Sequence, residues 1–199
     1  MRIYDDRYHR ERLRFHVALR FIRLEARTHT IRYWTGLTDD RIRKLYRSYM
    51  SHARRELPRH RGKSPHQVAY FTRSPRLQEE SALLASMLSM LDVVPAGAPG
   101  TGALAHEPAA RVGAAAAAVL PGVRSGELLC QAFEAFRLYV PAAQISFEHA
   151  VFLASALARG DQLRLGTCGR CGSLMVTERI ALRIVRCPHC AGTAPGGHG

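Results

Sequence analysis

Thr167-Cys-Gly-Arg-Cys-Gly-Ser173 and Arg186-Cys-Pro-His-Cys-Ala-Gly192 each hold a C-x-x-C pair, and fifteen residues separate Cys171 from Cys187. That spacing lets the thiolates of Cys168, Cys171, Cys187 and Cys190 converge on one tetrahedral metal. Glycine or proline inside each pair lets the backbone curl around an ion. Between the pairs, Leu174-Met-Val-Thr177 and Leu182-Arg-Ile-Val185 are rich in apolar and β-branched residues. They predict two short strands around a turn near Glu178 and Arg179.

Zinc is the occupant this donor set favours, and the segment is similar to a zinc ribbon. Four thiolates close the coordination shell, whereas a catalytic zinc keeps one position open for water. A structural role is therefore expected, with an iron centre or redox dithiols as alternatives and a catalytic zinc as a third. His189 sits inside the second pair and could replace one cysteine, which would still leave a closed site. The zinc deaminase pattern of H-x-E followed by P-C-x-x-C fails, because Arg186 precedes Cys187 and the proline lies within the pair.

The chain has 199 residues and a formal net charge of +13. Residues 1 to 76 hold 20 Lys plus Arg against 7 Asp plus Glu, while residues 77 to 199 hold 9 against 9. All of the net charge thus lies in the first part, which points to a polyanionic partner. Nucleic acid comes first, through counterion release from neutralised phosphates, and an anionic membrane second. The apolar stretches Ala82 to Val94 and Gly113 to Val123 are too short and too broken to span a bilayer. No apolar core follows the early charges, so no signal peptide is expected, and a cytoplasmic location is. Thiols used as ligands and an odd fifth cysteine, Cys130, fit a reducing compartment. Cys130, between Leu129 and Phe133, reads as a small buried apolar residue.

Apolar residues at Leu13, Val17, Phe21, Leu24 and Ile31 predict one long helix over about Arg10 to Trp34. Gly36 interrupts it, and Thr38 is an N-cap candidate with Asp39 and Asp40 in the first turn, where the helix dipole favours negative charge. The second helix carries Ile42, Leu45, Tyr46 and Tyr49 inward, and Pro58 ends it. Residues 54 to 66 form a basic loop in which Gly62-Lys63-Ser64 lacks the earlier glycine of a phosphate loop, Leu57 standing there instead. A further helix is expected over Gln78 to Leu91, with Leu84, Met87, Leu88 and Leu91 on one side. Residues 95 to 126 collapse into alanine, glycine and proline and read as a linker or insertion. Glu127 to Val140, with Leu129, Phe133, Phe136 and Val140 inward, and a helix capped by Ser146 and ending near Gly160 form a hairpin into the cysteine segment. The expected fold is mainly α. Its parts are a basic helical region over 1–94, the linker, a helical hairpin over 127–160, the zinc ribbon over 161–193 and a disordered tail over 194–199.

Gly36 to Tyr46 has the turn glycine, the capped second helix and the apolar positions of a helix-turn-helix. Arg41, Arg43, Lys44 and Arg47 are free to face outward toward a groove, and Arg54 and Arg55 extend the basic set. In the ribbon, Arg170 and Arg183 are the expected phosphate contacts. Its six arginines and two acids between Arg159 and Cys190 outweigh the charge of about −2 on a four-thiolate zinc. The plain alternative is a solvated basic face on an ordinary bundle, with the ribbon as a docking platform. No paired acid and base, open metal position or activated nucleophile points to an enzyme. His9, His16, His29, His52, His60 and His66 are scattered among arginines and read as surface or phosphate-facing residues.

Leu24-Glu-Ala-Arg27, the Arg-Ile-Arg-Lys-Leu-Tyr core of Gly36 to Tyr46, Phe133-Glu-Ala-Phe-Arg-Leu-Tyr139 and the two C-x-x-C pairs follow one another in an order that resembles the FlhC family of bacterial transcriptional activators. The resemblance covers most of the chain. It implies a mostly helical subunit that assembles with FlhD, as four FlhD and two FlhC chains. It also implies binding to double-stranded promoter DNA upstream of RNA polymerase, activation of flagellar genes, and one structural zinc at Cys168, Cys171, Cys187 and Cys190. The stretch Pro95 to Gly126 looks like an insertion relative to that family, and Ala191 to Gly199 replaces the family's basic tail. Both departures suit a divergent paralogue, in which DNA binding persists while the target genes or the FlhD contact change.

Overall fold

A computed structural model describes residues 2–52, 64–94, 121–180 and 186–192. The chain divides into two units, Met1–Pro65 with Leu120–Gln131, and His66–Val119 with Ala132–Gly199. The described residues are mainly helical, with seven α-helices and one two-stranded sheet. The division after Pro65 falls inside the region 1–94 that the sequence suggests as one body, so residues 66–94 belong with the cysteine-bearing unit.

The first unit is built on α1 (Arg2–Arg23), α2 (Thr28–Thr35) and α3 (Asp39–His52). The single helix expected over Arg10 to Trp34 is two helices. Its break is a backbone motif with no glycine or proline: Glu25 takes φ 62°, its N–H donates to Ile22 O at 3.0 Å, and the Ala26 N–H donates to Phe21 O at 2.9 Å. This paired 6→1 and 5→2 closure satisfies the last carbonyls of α1 with a left-handed residue that is usually glycine. The sequence sign was the seven-residue gap between Leu24 and Ile31, which leaves a full turn without an apolar residue.

Helix α2 ends as expected at Gly36, at φ 69°, whose N–H donates to Arg32 O at 2.8 Å. Thr38 then caps α3, its hydroxyl accepting from the Arg41 N–H at 3.5 Å, with Asp39 and Asp40 in the first turn. Each of α1, α2 and α3 packs against the other two. Val17, Phe21, Ile31, Trp34, Leu37 and Ile42 are buried between them, with the Phe21 and Trp34 rings 6.2 Å apart. Leu45, Tyr46 and Tyr49 are half-buried.

Helix α5 (Val123–Tyr139) starts one turn before the expected Glu127, and its first part belongs to this unit. Gly126 is the reason it fits: a Cβ there would lie 3.1 Å from Val17 Cγ1 and 3.5 Å from both Phe21 and Trp34 rings. Leu129 and Cys130 follow, fully buried. Gly126→Leu is expected to lower the unit's stability by about 2–3 kcal/mol by overpacking. Gly126→Ala should change it little, because the helix propensity gained offsets the tight contact. Denaturant unfolding of both variants checks this.

The second unit holds a 3₁₀ turn (Val68–Phe71), α4 (Pro75–Met90), the rest of α5, α6 (Phe147–Arg159), strands β1 (Leu163–Thr167) and β2 (Leu174–Glu178), and the short α7 (Pro188–Gly192). Helix α4 begins one turn earlier than expected, with Ser74 accepting the Leu77 N–H at 3.3 Å and Pro75 at the first helical position, where a missing N–H costs nothing. Ser146 caps α6 and Gly160, at φ 62°, ends it. The core includes Phe71, Leu84, Leu88, Phe136, Phe147 and Leu153. Glu80, 4% exposed, crosses to the α5–α6 connection: its carboxylate accepts the N–H of Gln144 at 2.9 Å and of Ile145 at 3.3 Å, and pairs with Arg76 at 2.9 Å. Strand β2 and α7 pack on α4, and β1 packs on α6. Among the described residues no helix is long and apolar enough to cross a membrane.

The helix end expected at Pro58, the basic loop with Arg54 and Arg55, the stretch 95–120, Leu182 to Val185 with Arg183, and the tail 194–199 lie outside the described residues.

Candidate metal centre

Strands β1 and β2 pair antiparallel with Leu163 opposite Glu178 and Thr167 opposite Leu174, so Cys168 to Ser173 form the loop of a hairpin. The strand expected at Leu174 to Thr177 is present as β2. Its partner is β1, which was not anticipated although Leu163-Arg-Leu165 alternates as a half-buried strand should. The loop is closed by the Cys168 N–H donating to Ser173 O at 2.8 Å and the Gly172 N–H donating to Cys168 O at 2.9 Å. Gly172 takes φ 73°, which favours glycine. The second pair starts α7, where the Ala191 N–H donates to Cys187 O at 2.9 Å. A hairpin loop and a helix start thus present two sulfurs each.

The four Sγ atoms all lie within 4.8 Å of one another, and Cys171 and Cys187 are 3.6 Å apart. A tetrahedral ion with metal–sulfur bonds of about 2.3 Å would hold its sulfurs about 3.8 Å apart, so this cluster suits a metal with little adjustment. Cys168, Cys187 and Cys190 are buried with Met175, while Cys171 is exposed. His189 is exposed and stands outside the cluster.

Backbone N–H groups solvate the sulfurs. The Cys187 and Arg170 N–H groups donate to Cys168 Sγ at 3.3 and 3.5 Å, and the Cys190 N–H donates to Cys187 Sγ at 3.4 Å. Such donors favour the charged form. The Cys187 N–H, with those of Cys171 and Arg170, holds the Cys168 thiol down at about 6, and the Ser173 hydroxyl, 3.1 Å away, lowers Cys171. Cys190 is pushed up to about 12, first by its hydrogen bond to Cys171 and then by burial.

Metal binding requires thiolates, so loading should release protons and the affinity should fall as pH falls. Calorimetric titration in buffers of different ionisation enthalpy counts the protons; no release at pH 7 would contradict the assignment.

The expected nucleic-acid contacts are dispersed. Arg41, Arg43, Lys44 and Arg47 are all exposed on α3. Arg41 pairs with Glu11 and lies over the Phe15 ring, and Arg43 pairs with Asp40 at 2.9 Å. Lys44 and Arg47 make no ion pair with the described residues. Arg170 is exposed in the first cysteine loop of the second unit. Sequence reading missed Ser173, which closes that loop through its carbonyl and touches Cys171 through its hydroxyl; a serine two residues past a ligand carries no distinctive signal.

No protein-family model matches this sequence, and no curated protein matches it.

Proposed function

We propose that this chain is a DNA-binding transcriptional regulator subunit whose α1–α3 unit contacts DNA and whose four cysteines hold one structural zinc. The observation that carries the DNA reading is the α2–Gly36–α3 arrangement: a short helix, a three-residue turn, and a capped helix seated by Ile42 and Leu37 with Lys44 and Arg47 outward. Of the four cations expected on α3, Lys44 and Arg47 are the pair not engaged by acids among the described residues, so they carry the phosphate contact most directly. Zinc is the ion taken here for the zinc-ribbon-like spacing of the two pairs, and a closed four-sulfur shell makes the ion a fold-holding one. The cysteines would hold it and exclude water, while Arg170 would add a second phosphate contact.

The more specific form of this reading is the FlhC-like activator that assembles with FlhD on flagellar promoters. It draws on the order of the quoted motifs. A docking-platform reading draws instead on Leu138 and Tyr139, which are 81% and 76% exposed at the end of α5 in the second unit.

Binding of the zinc-loaded chain to duplex DNA across salt concentrations separates these. The logarithm of affinity should fall linearly with that of salt, and Lys44→Ala with Arg47→Ala should reduce the slope by about 2. Salt-independent or absent binding favours docking. Co-purification with FlhD and a specific shift of flagellar promoter DNA would support the narrower assignment; failure of both with duplex binding intact would leave a regulator of other genes.

A further inference from the structure

Cys171 differs from its three companions in a way that a purely structural metal site does not require. Cys168, Cys187 and Cys190 are 3%, 7% and 5% exposed, whereas Cys171 is open to solvent. It sits in a hairpin loop beside Gly172, around whose missing Cβ nothing lies within 4 Å, so that side of the loop is open to a small oxidant. Its sulfur is 3.6 Å from Cys187 Sγ on the other side of the cluster and is also hydrogen-bonded to Cys190 there. A disulfide needs about 2.05 Å, a closure of about 1.5 Å that a surface loop can supply.

We propose that Cys171 is an oxidation site and that a thiol of the facing pair, Cys187 or Cys190, resolves it, closing a disulfide across the cluster when a peroxide reaches the loop. The Cys171 thiolate attacks one peroxide oxygen, the O–O bond breaks, hydroxide leaves, and the sulfur becomes a sulfenic acid oxidised by two electrons. A thiolate of the facing pair then attacks that sulfur, the S–S bond forms, the S–O bond breaks and a second hydroxide leaves. Two thiolates and one hydrogen peroxide thus give one disulfide and two hydroxides. A metal held by four sulfurs would keep only two of them and dissociate, so this consequence rests on the metal reading above. Ser173 restrains the reaction: in the thiolate form its hydroxyl donates to Cys171 Sγ across 3.1 Å and withdraws electron density from the attacking sulfur.

The test uses the full chain loaded with zinc and treated with hydrogen peroxide, with released metal read by a chromogenic chelator. Disulfides are mapped after cleavage at Arg170 and Arg186, which places Cys168 and Cys171 on different peptides, and fragmentation tells Cys187 from Cys190. A crosslink from Cys171 to Cys187 or Cys190 should be the first, should form in step with metal release, and should reverse with a thiol reductant. Ser173→Ala retains all four ligands and should release metal about 3- to 10-fold faster. A first crosslink that joins any other pair, metal retained after crosslinking, or an unchanged rate in Ser173→Ala would overturn the proposal. Metal content measured before oxidant tests the metal reading separately, and the crosslink map decides the oxidation site even in a protein that carries none.

Discussion

Cys187→Ser is expected to reduce bound metal from one per chain to none detectable and to remove the hydrogen-exchange protection of α7 and of the Cys168 to Ser173 loop. Loss of a second-shell partner alone lowers metal affinity by about 10–100-fold, so loss of a ligand should exceed about 100-fold. Helix α7 has five residues, too few to persist without an anchor, and the cluster anchors it together with its packing on α4. The β1–β2 hairpin has a second anchor in Leu163, Met175 and Val176, all buried, so its strands should lose less protection than the loop. Helices α1 to α3 belong to the other unit and should keep theirs. Elemental analysis with peptide-resolved exchange checks both parts. Full protection of α7 in the variant would mean that packing on α4, rather than an ion, holds it.

Glu80→Ala is expected to cost the second unit about 2–4 kcal/mol. The carboxylate holds the N–H groups of Gln144 and Ile145, and a buried donor left unsatisfied costs about 1–3 kcal/mol. The charge on Arg76 adds little to the loss, because that side chain is 54% exposed and water replaces its partner. Arg76 also donates to Ala142 O at 2.5 Å, so one tie between α4 and the α5–α6 connection survives. Glu80→Gln retains an acceptor for the two amides and should cost about half as much. Chemical denaturation of the two variants gives the comparison; equal costs would shift the main contribution to the charge.

The four-cysteine cluster was legible because its chemistry is written in residue type and spacing, which no tertiary packing has to supply. The caps at Gly36, Thr38, Ser146 and Gly160 were legible for a similar reason: each satisfies end groups of its own helix with a local residue. The break at Leu24 to Arg27 was not, because Glu25 adopts a left-handed conformation that its side chain does not advertise. Strand β1 was missed because five residues with two leucines acquire their strand character from β2 and α6. Glu80 reads as one more surface acid in the sequence, and only the return of residues 142 to 145 to α4 makes it a buried clamp. Arg41 is exposed as expected, and its guanidinium also reaches Glu11 and Phe15 on α1, a long-range pairing that helical periodicity cannot indicate. Lys44 and Arg47 thereby become the sharper probes of the surface.

Hydrogen exchange of the zinc-loaded chain with and without duplex DNA at low salt tests the central claim most directly. The account predicts added protection over the Gly36 to Thr38 turn and along α3, diminished in the Lys44→Ala and Arg47→Ala double variant. Protection absent from α3 while DNA is bound, or confined to the second unit, would contradict it.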